Sequence, residues 1–149
     1  MKSKGYFMTF LMIAGFIGLL FLSSVIGNSA VTTLAETFPD IQKARNFEGI
    51  LLSDESRKGS PLLLTDSQYL AVLPDAQLKD LSALESASFP AIKLHFSAAE
   101  QDYHVTICRD GKISMETGDH KRFFLDSTGS LFRTLYEEHL LSGGQALPE

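Results

Sequence analysis

The sequence predicts an α+β fold, a small antiparallel sheet of about four to six strands packed with two or three helices, behind an N-terminal transmembrane helix. Three observations predict it. No residue from Tyr6 to Gly27 is charged; Ala91–Ser97 and Asp102–Cys108 both alternate apolar with polar residues; and Leu131, Phe132, Leu135, Tyr136 and Leu140 recur at helical spacing.

The uncharged run spans about 33 Å as a helix at ~1.5 Å per residue, enough to cross a bilayer with its backbone groups satisfied internally. Lys2 and Lys4 precede it and no basic residue follows until Lys43, so the positive-inside bias puts the N-terminus in the cytoplasm and the rest of the chain outside. A cleaved secretory signal is the competing reading, with small residues near Gly27 and Ser29; a signal's apolar core is ordinarily shorter, about 7–15 residues. Ala14 and Gly18 make a small-xxx-small pair that lets two helices approach. The expected organisation is residues 1–5 cytoplasmic, 6–27 anchor, 28–45 juxtamembrane stalk, 46–143 an extracytoplasmic α+β domain and 144–149 a flexible tail.

Lys4-Gly5-Tyr6 ahead of a long apolar helix is similar to the processing site of type IV prepilins and pseudopilins. The resemblance covers about twenty residues and implies cleavage after Gly5 and assembly through the helix. The glutamate that family carries at the fifth mature position is Phe10 here, and Pro39 would bend or end the long helix such subunits use.

The 149 residues bring 13 Lys plus Arg against 18 Asp plus Glu, with Lys2 and Lys4 the only charges before residue 28. The exported part is therefore acidic, which argues against binding a phosphate backbone. Eleven Phe and 44% apolar residues supply a core, and the single Cys108 allows no intrachain disulfide.

Along the exported part, Phe47 to Ser53 is β-compatible, residues 54–60 are a turn cluster, and Pro61 to Leu64 is a second apolar run, together a hairpin. Thr65 or Asp66 caps a helix carrying Tyr69, Leu70 and Leu73, and Pro74 opens a second helix carrying Leu78, Leu81 and Leu84. The two alternating stretches form a hairpin in one register: Ser97 faces Asp102, Phe96 faces Tyr103, Leu94 faces Val105 and Ile92 faces Ile107, so every apolar side chain shares a face. A three-residue loop with Gly111 left-handed is then expected to set Met115 opposite Ile107. A strand over His120 to Asp126 follows. The last helix starts after Ser127-Thr128-Gly129-Ser130 and stops at Gly143-Gly144.

That register makes His95 and His104 direct neighbours on the face opposite the core, with Lys93 and Thr106 alongside. Two imidazoles at that distance suit a metal or a protonation switch; a solvated sheet face is the bland alternative, and Asp102 is read as serving the next pair. Cys108 shares the face as a small residue covered by a helix, and His120 and His139 have no assigned place. Ser127-Thr128-Gly129-Ser130 reads as helix caps or, less simply, as an anion site. Asp54-Glu55 and Glu137-Glu138 point apart and read as surface. No motif for a nucleophile elbow, phosphate loop, paired Cys-x-x-Cys or His-Glu-x-x-His occurs. The expectation is a non-enzymatic, single-pass, membrane-tethered binding or accessory module with a protein partner, no cofactor and no nucleic acid. The alternatives are a pilin-like subunit and a secreted domain with a His95/His104 metal or pH-sensing site.

Overall fold

The computed structural model describes residues 30–56, 58–84 and 86–148. The expected anchor lies outside them, and none of the described helices is long and apolar enough to cross a membrane.

Eight antiparallel strands form one sheet in the order β1-β4-β8-β7-β6-β5-β2-β3. They are β1 (Thr32–Thr33), β2 (Arg45–Leu52), β3 (Ser60–Pro61), β4 (Gln77–Leu81), β5 (Ala91–Ala98), β6 (Gln101–Cys108), β7 (Lys112–Thr117) and β8 (His120–Leu125). The helices are α1 (Leu34–Thr37), α2 (Asp66–Val72) and α3 (Ser130–Leu141), with a 3-10 turn at Pro39–Lys43. The fold is α+β as expected, with more strands because β1 is a two-residue piece in the expected stalk and β4 stands where a helix was expected. In β4, Leu78 is buried while Gln77 and Asp80 are exposed. Residues Lys79 to Leu81 add an edge to β8 where a helix would have had only a narrow apolar stripe, and Leu84 lies beyond the strand.

The β5–β6 hairpin adopts the expected register at every position, including His95 opposite His104. Its consequence is a face of Ile92, Leu94, Phe96, Tyr103, Val105 and Ile107, all buried. The next turn has the three residues expected and Gly111 at φ +93°, but Ile107 faces Ile113, and Met115 faces Val105. A shift of two leaves the same side chains inside, since the strand period is two. A side chain at Gly111 would meet the Asp126 carbonyl oxygen at 2.0 Å, so that close approach needs glycine as much as the angle does.

Below this face lie α2, α3, the 3-10 turn and α1, contributing Tyr69, Leu73, Leu131, Phe132, Leu135, Ile41 and Leu34 to one core. Residues 31–45, expected as a stalk, are built into the domain: Thr32 and Thr33 pair with β4, and Leu34, Ile41 and Ala44 are buried. Apolar burial at three positions outweighs the polar composition that suggested a stalk. Asp66 opens α2 and accepts from the Asn46 and Phe47 N–H groups (2.9 and 3.0 Å) where β2 bulges. The end of α3 is held by His139 rather than Leu140: His139 is buried and Leu140 exposed. The Leu63 N–H donates to His139 Nδ1 at 2.9 Å, which leaves Nε2 as the donor to the Gln145 carbonyl at 3.2 Å. In the tail, the Leu147 N–H donates to the Tyr136 hydroxyl at 2.9 Å.

Candidate functional site

All three helices contribute to the core on one face of the sheet, so the other face is left to charged, polar and a few apolar side chains and the loop between β4 and β5. A cleft of about 740 Å³ lies on it, within the range of small-ligand sites. Its floor is set by strand alternation: with Leu94, Val105 and Met115 turned inward, His95, His104 and Glu116 must turn outward. Its lining is completed by Ile50, Leu52 and Glu55 from β2 and the turn after it, and by Ser86, Ala87 and Phe89 of the loop.

The register aligns the outward residues into rows across the strands. One row reads Glu48, His95, His104, Glu116, Lys121, each the direct neighbour of the next. The row beside it reads Ile50, Lys93, Thr106, Ser114, Phe123. His95 and His104 stack, with ring centroids 4.8 Å apart and planes 24° from parallel. Asp102 accepts from the Ser97 hydroxyl at 2.7 Å, in its own pair as expected, and its Oδ1 stands 3.9 Å from His95 Nε2, beyond hydrogen-bond distance. Lys121 hydrogen-bonds Glu116 and thereby holds its carboxyl below the ordinary range; partial burial opposes this, and the charges of Lys121, His104 and Lys93 add to it.

The chain matches no protein-family model, no curated protein and no solved structure.

Of the other candidate residues, Cys108 is buried beside Ala91, its strand partner, at a smaller cavity of about 230 Å³ lined by Leu84, Ser86 and Ala87. Its cover is thus a loop and not a helix. His120 stands exposed at the start of β8 opposite Thr117, away from the histidine pair. At α3 the Thr128 hydroxyl accepts from the Ser130 N–H at 3.3 Å, as expected of a cap, and a residue before the expected stretch joins it. The buried Asp126 carboxylate accepts from the Leu131 N–H (2.8 Å), the Thr128 N–H (3.1 Å) and the Thr128 hydroxyl (2.7 Å). A carboxylate of the chain itself occupies the place where an external anion would bind. Among the described residues, no three His, Cys, Asp or Glu side chains stand in metal-ligating geometry.

Glu48, Glu116 and Lys121 escaped the sequence reading for identifiable reasons. The bulge between Arg45 and Glu48 conceals which β2 residue meets His95. The two-residue error beyond Gly111 set Gly118 rather than Glu116 opposite His104. Counting Arg109, Asp110 and Gly111 as the whole loop would have found it.

Proposed function

We propose that this chain is a non-enzymatic binding or accessory module, tethered to the cytoplasmic membrane by Tyr6–Gly27 with its α+β domain outside the cytoplasm, and that the open sheet face is its docking surface for a protein partner. The single observation that carries the reading is the asymmetry of the sheet: one face is consumed by the core, while the other presents a cleft with a mixed charged row and the apolar Ile50, Leu52 and Phe89 in its lining. Such a mixture fits recognition, in which apolar contacts give area and charges give orientation. The tether rests on the uncharged run and the two lysines that precede it.

The test is affinity capture from gently solubilised membranes, comparing the native chain with Thr106→Arg, which fills the cleft floor from a partly exposed strand position. A stoichiometric partner that the variant loses supports the reading. Recovery of the lone chain, or equal capture by the variant, counts against it. A C-terminal reporter found in the cytosol would remove the assigned compartment. The pilin-like alternative keeps one specific observation, Lys4-Gly5-Tyr6, and mass measurement of the mature N-terminus separates it: a start at Tyr6 favours processing, an intact Met1 region the anchor, and a start near Asn28 a cleaved signal.

A further inference from the structure

We propose that the occupant of the open sheet face is a second copy of this chain, docked face to face with the first about a two-fold axis that runs along β6. The inference rests on the reading of that face as a docking surface and names the molecule that docks there.

Each of the two outward rows is complementary to its own reverse. From β2 to β8 the first reads Glu48, His95, His104, Glu116, Lys121 and the second Ile50, Lys93, Thr106, Ser114, Phe123. A half-turn about β6, with the axis midway between two facing sheets, lays each row end for end on itself. Glu48 of one copy then faces Lys121 of the other, and His95 faces Glu116. In the second row Ile50 faces Phe123 and Lys93 faces Ser114, while His104 and Thr106 lie on the axis and meet their own counterparts. One operation thus matches opposite charges in the first row and apolar ends in the second, and each off-axis contact occurs twice, as a two-fold interface requires. Packed sheets stand about 10 Å apart, a gap that the extended side chains of Glu48 and Lys121 bridge between them.

Other arrangements match less well. A half-turn about an axis across the strands lays the first row on the second, which sets Glu48 against Ile50 and Lys121 against Phe123 and takes charges out of water without partners. A partner of one strong charge fails for another reason. The two rows hold the carboxylates of Glu48 and Glu116 and the ammonium groups of Lys93 and Lys121, so a surface of either sign meets as much repulsion as attraction. Ile50 is 45% exposed, an apolar side chain that the other copy's Phe123 covers. Lys121 already hydrogen-bonds Glu116 of its own chain, so between two copies it stands between that carboxylate and the other copy's Glu48. The first row is also the more accessible: Glu48, His104 and Lys121 are exposed, whereas Thr106 and Ser114 are half-buried beside Ser86 and Ala87 of the loop.

The test is co-capture of two differently tagged full chains, produced together and solubilised from membranes in mild detergent. Expected is recovery of one tag with the other for the native chain. Glu48→Lys and Lys121→Glu should each lower self-capture about fivefold or more, because like charges then face one another at both ends of the row. Capture of Glu48→Lys by Lys121→Glu should return to the native level or above, because opposite charges face again, and that recovery shows both variants to be folded. Absence of native co-capture, self-capture unchanged by the reversals, or a mixed pair no better than either variant alone overturns the proposal; the second of these is what association through the helix at Ala14 and Gly18 would give. Should a reversal fail to fold by circular dichroism, Glu48→Gln combined with Lys121→Gln takes its place: lowered self-capture by that double variant supports the proposal, and undiminished self-capture overturns it. A foreign protein captured by the native chain and lost with Thr106→Arg, without co-capture of a second copy, overturns this inference and leaves the docking surface standing. Failure of both captures removes the docking surface as well.

Discussion

Replacing Tyr69 by Phe should make the protein more stable. Tyr69 is fully buried in stacked contact with Phe47, and among the described residues its hydroxyl has no hydrogen-bond partner. A buried hydroxyl left unsatisfied costs about 1–3 kcal/mol, while Phe fills nearly the same shape without it. The expected gain for Tyr69→Phe at pH 7 is therefore about 1 kcal/mol or more. A second signature follows from ionisation. Burial, and then the charge of Asp66, pushes the Tyr69 phenol from 10.0 up to about 12. The unfolded chain thus releases this proton first, the native state binds more protons between about pH 10 and 12, and stability falls as pH rises through that window. At ~1.36 kcal/mol per unit, the native protein should lose roughly 2–3 kcal/mol more than the Phe variant across it. Urea unfolding followed by far-UV circular dichroism at pH 7, 10 and 11.5 reads both effects. A Phe variant less stable at pH 7, or parallel pH curves for the two proteins, would refute the reasoning by showing that the hydroxyl is satisfied. Gly49 provides a cross-check, because a side chain there would lie 2.3 Å from the Tyr69 hydroxyl and 2.8 Å from Leu62 Cβ. Gly49→Ala should be destabilising alone and less so in the Phe background, with a coupling of about 0.5 kcal/mol or more.

Asp126→Ala should cost about 2 kcal/mol by removing the buried cap of α3, with Asp126→Asn losing less because it keeps an acceptor; equilibrium unfolding checks the order. His139→Leu should cost about 2 kcal/mol and selectively speed hydrogen exchange at the Leu63 amide, which loses its acceptor, whereas His139→Asn restores part of the protection through its side-chain oxygen.

The parts of this fold legible in the sequence are those where a local pattern and the buried face agree. Alternation in β5 and β6 admits only one register, and it carries His95 and His104 to adjacent places without further information. The stripe of α3 was readable apart from its last turn, where His139 replaces Leu140 inside. Burial of a histidine depends on acceptors and donors from Leu63 and Gln145, which no helical period reveals. Strand β4 was misread because Leu78, Leu81 and Leu84 fit a helix as well as a strand end, and only the free edge of β8 decides between them. That error also concealed the wall of the cleft. The row from Glu48 to Lys121 depends on three registers at once, one bulged and one set by a turn, so pairwise reasoning recovered only its centre.

The Asp66 carboxylate has a meaning beyond its bond lengths. The margin of β2 that faces away from β5 is occupied by β3 only near Ile50 and Leu51, and farther back the amides of Asn46 and Phe47 would otherwise point at open water. Unclaimed strand amides are a template on which another molecule can lay its own backbone. One acidic side chain from the start of α2 claims both, so along this stretch of β2 neither amide is left for another backbone to pair with.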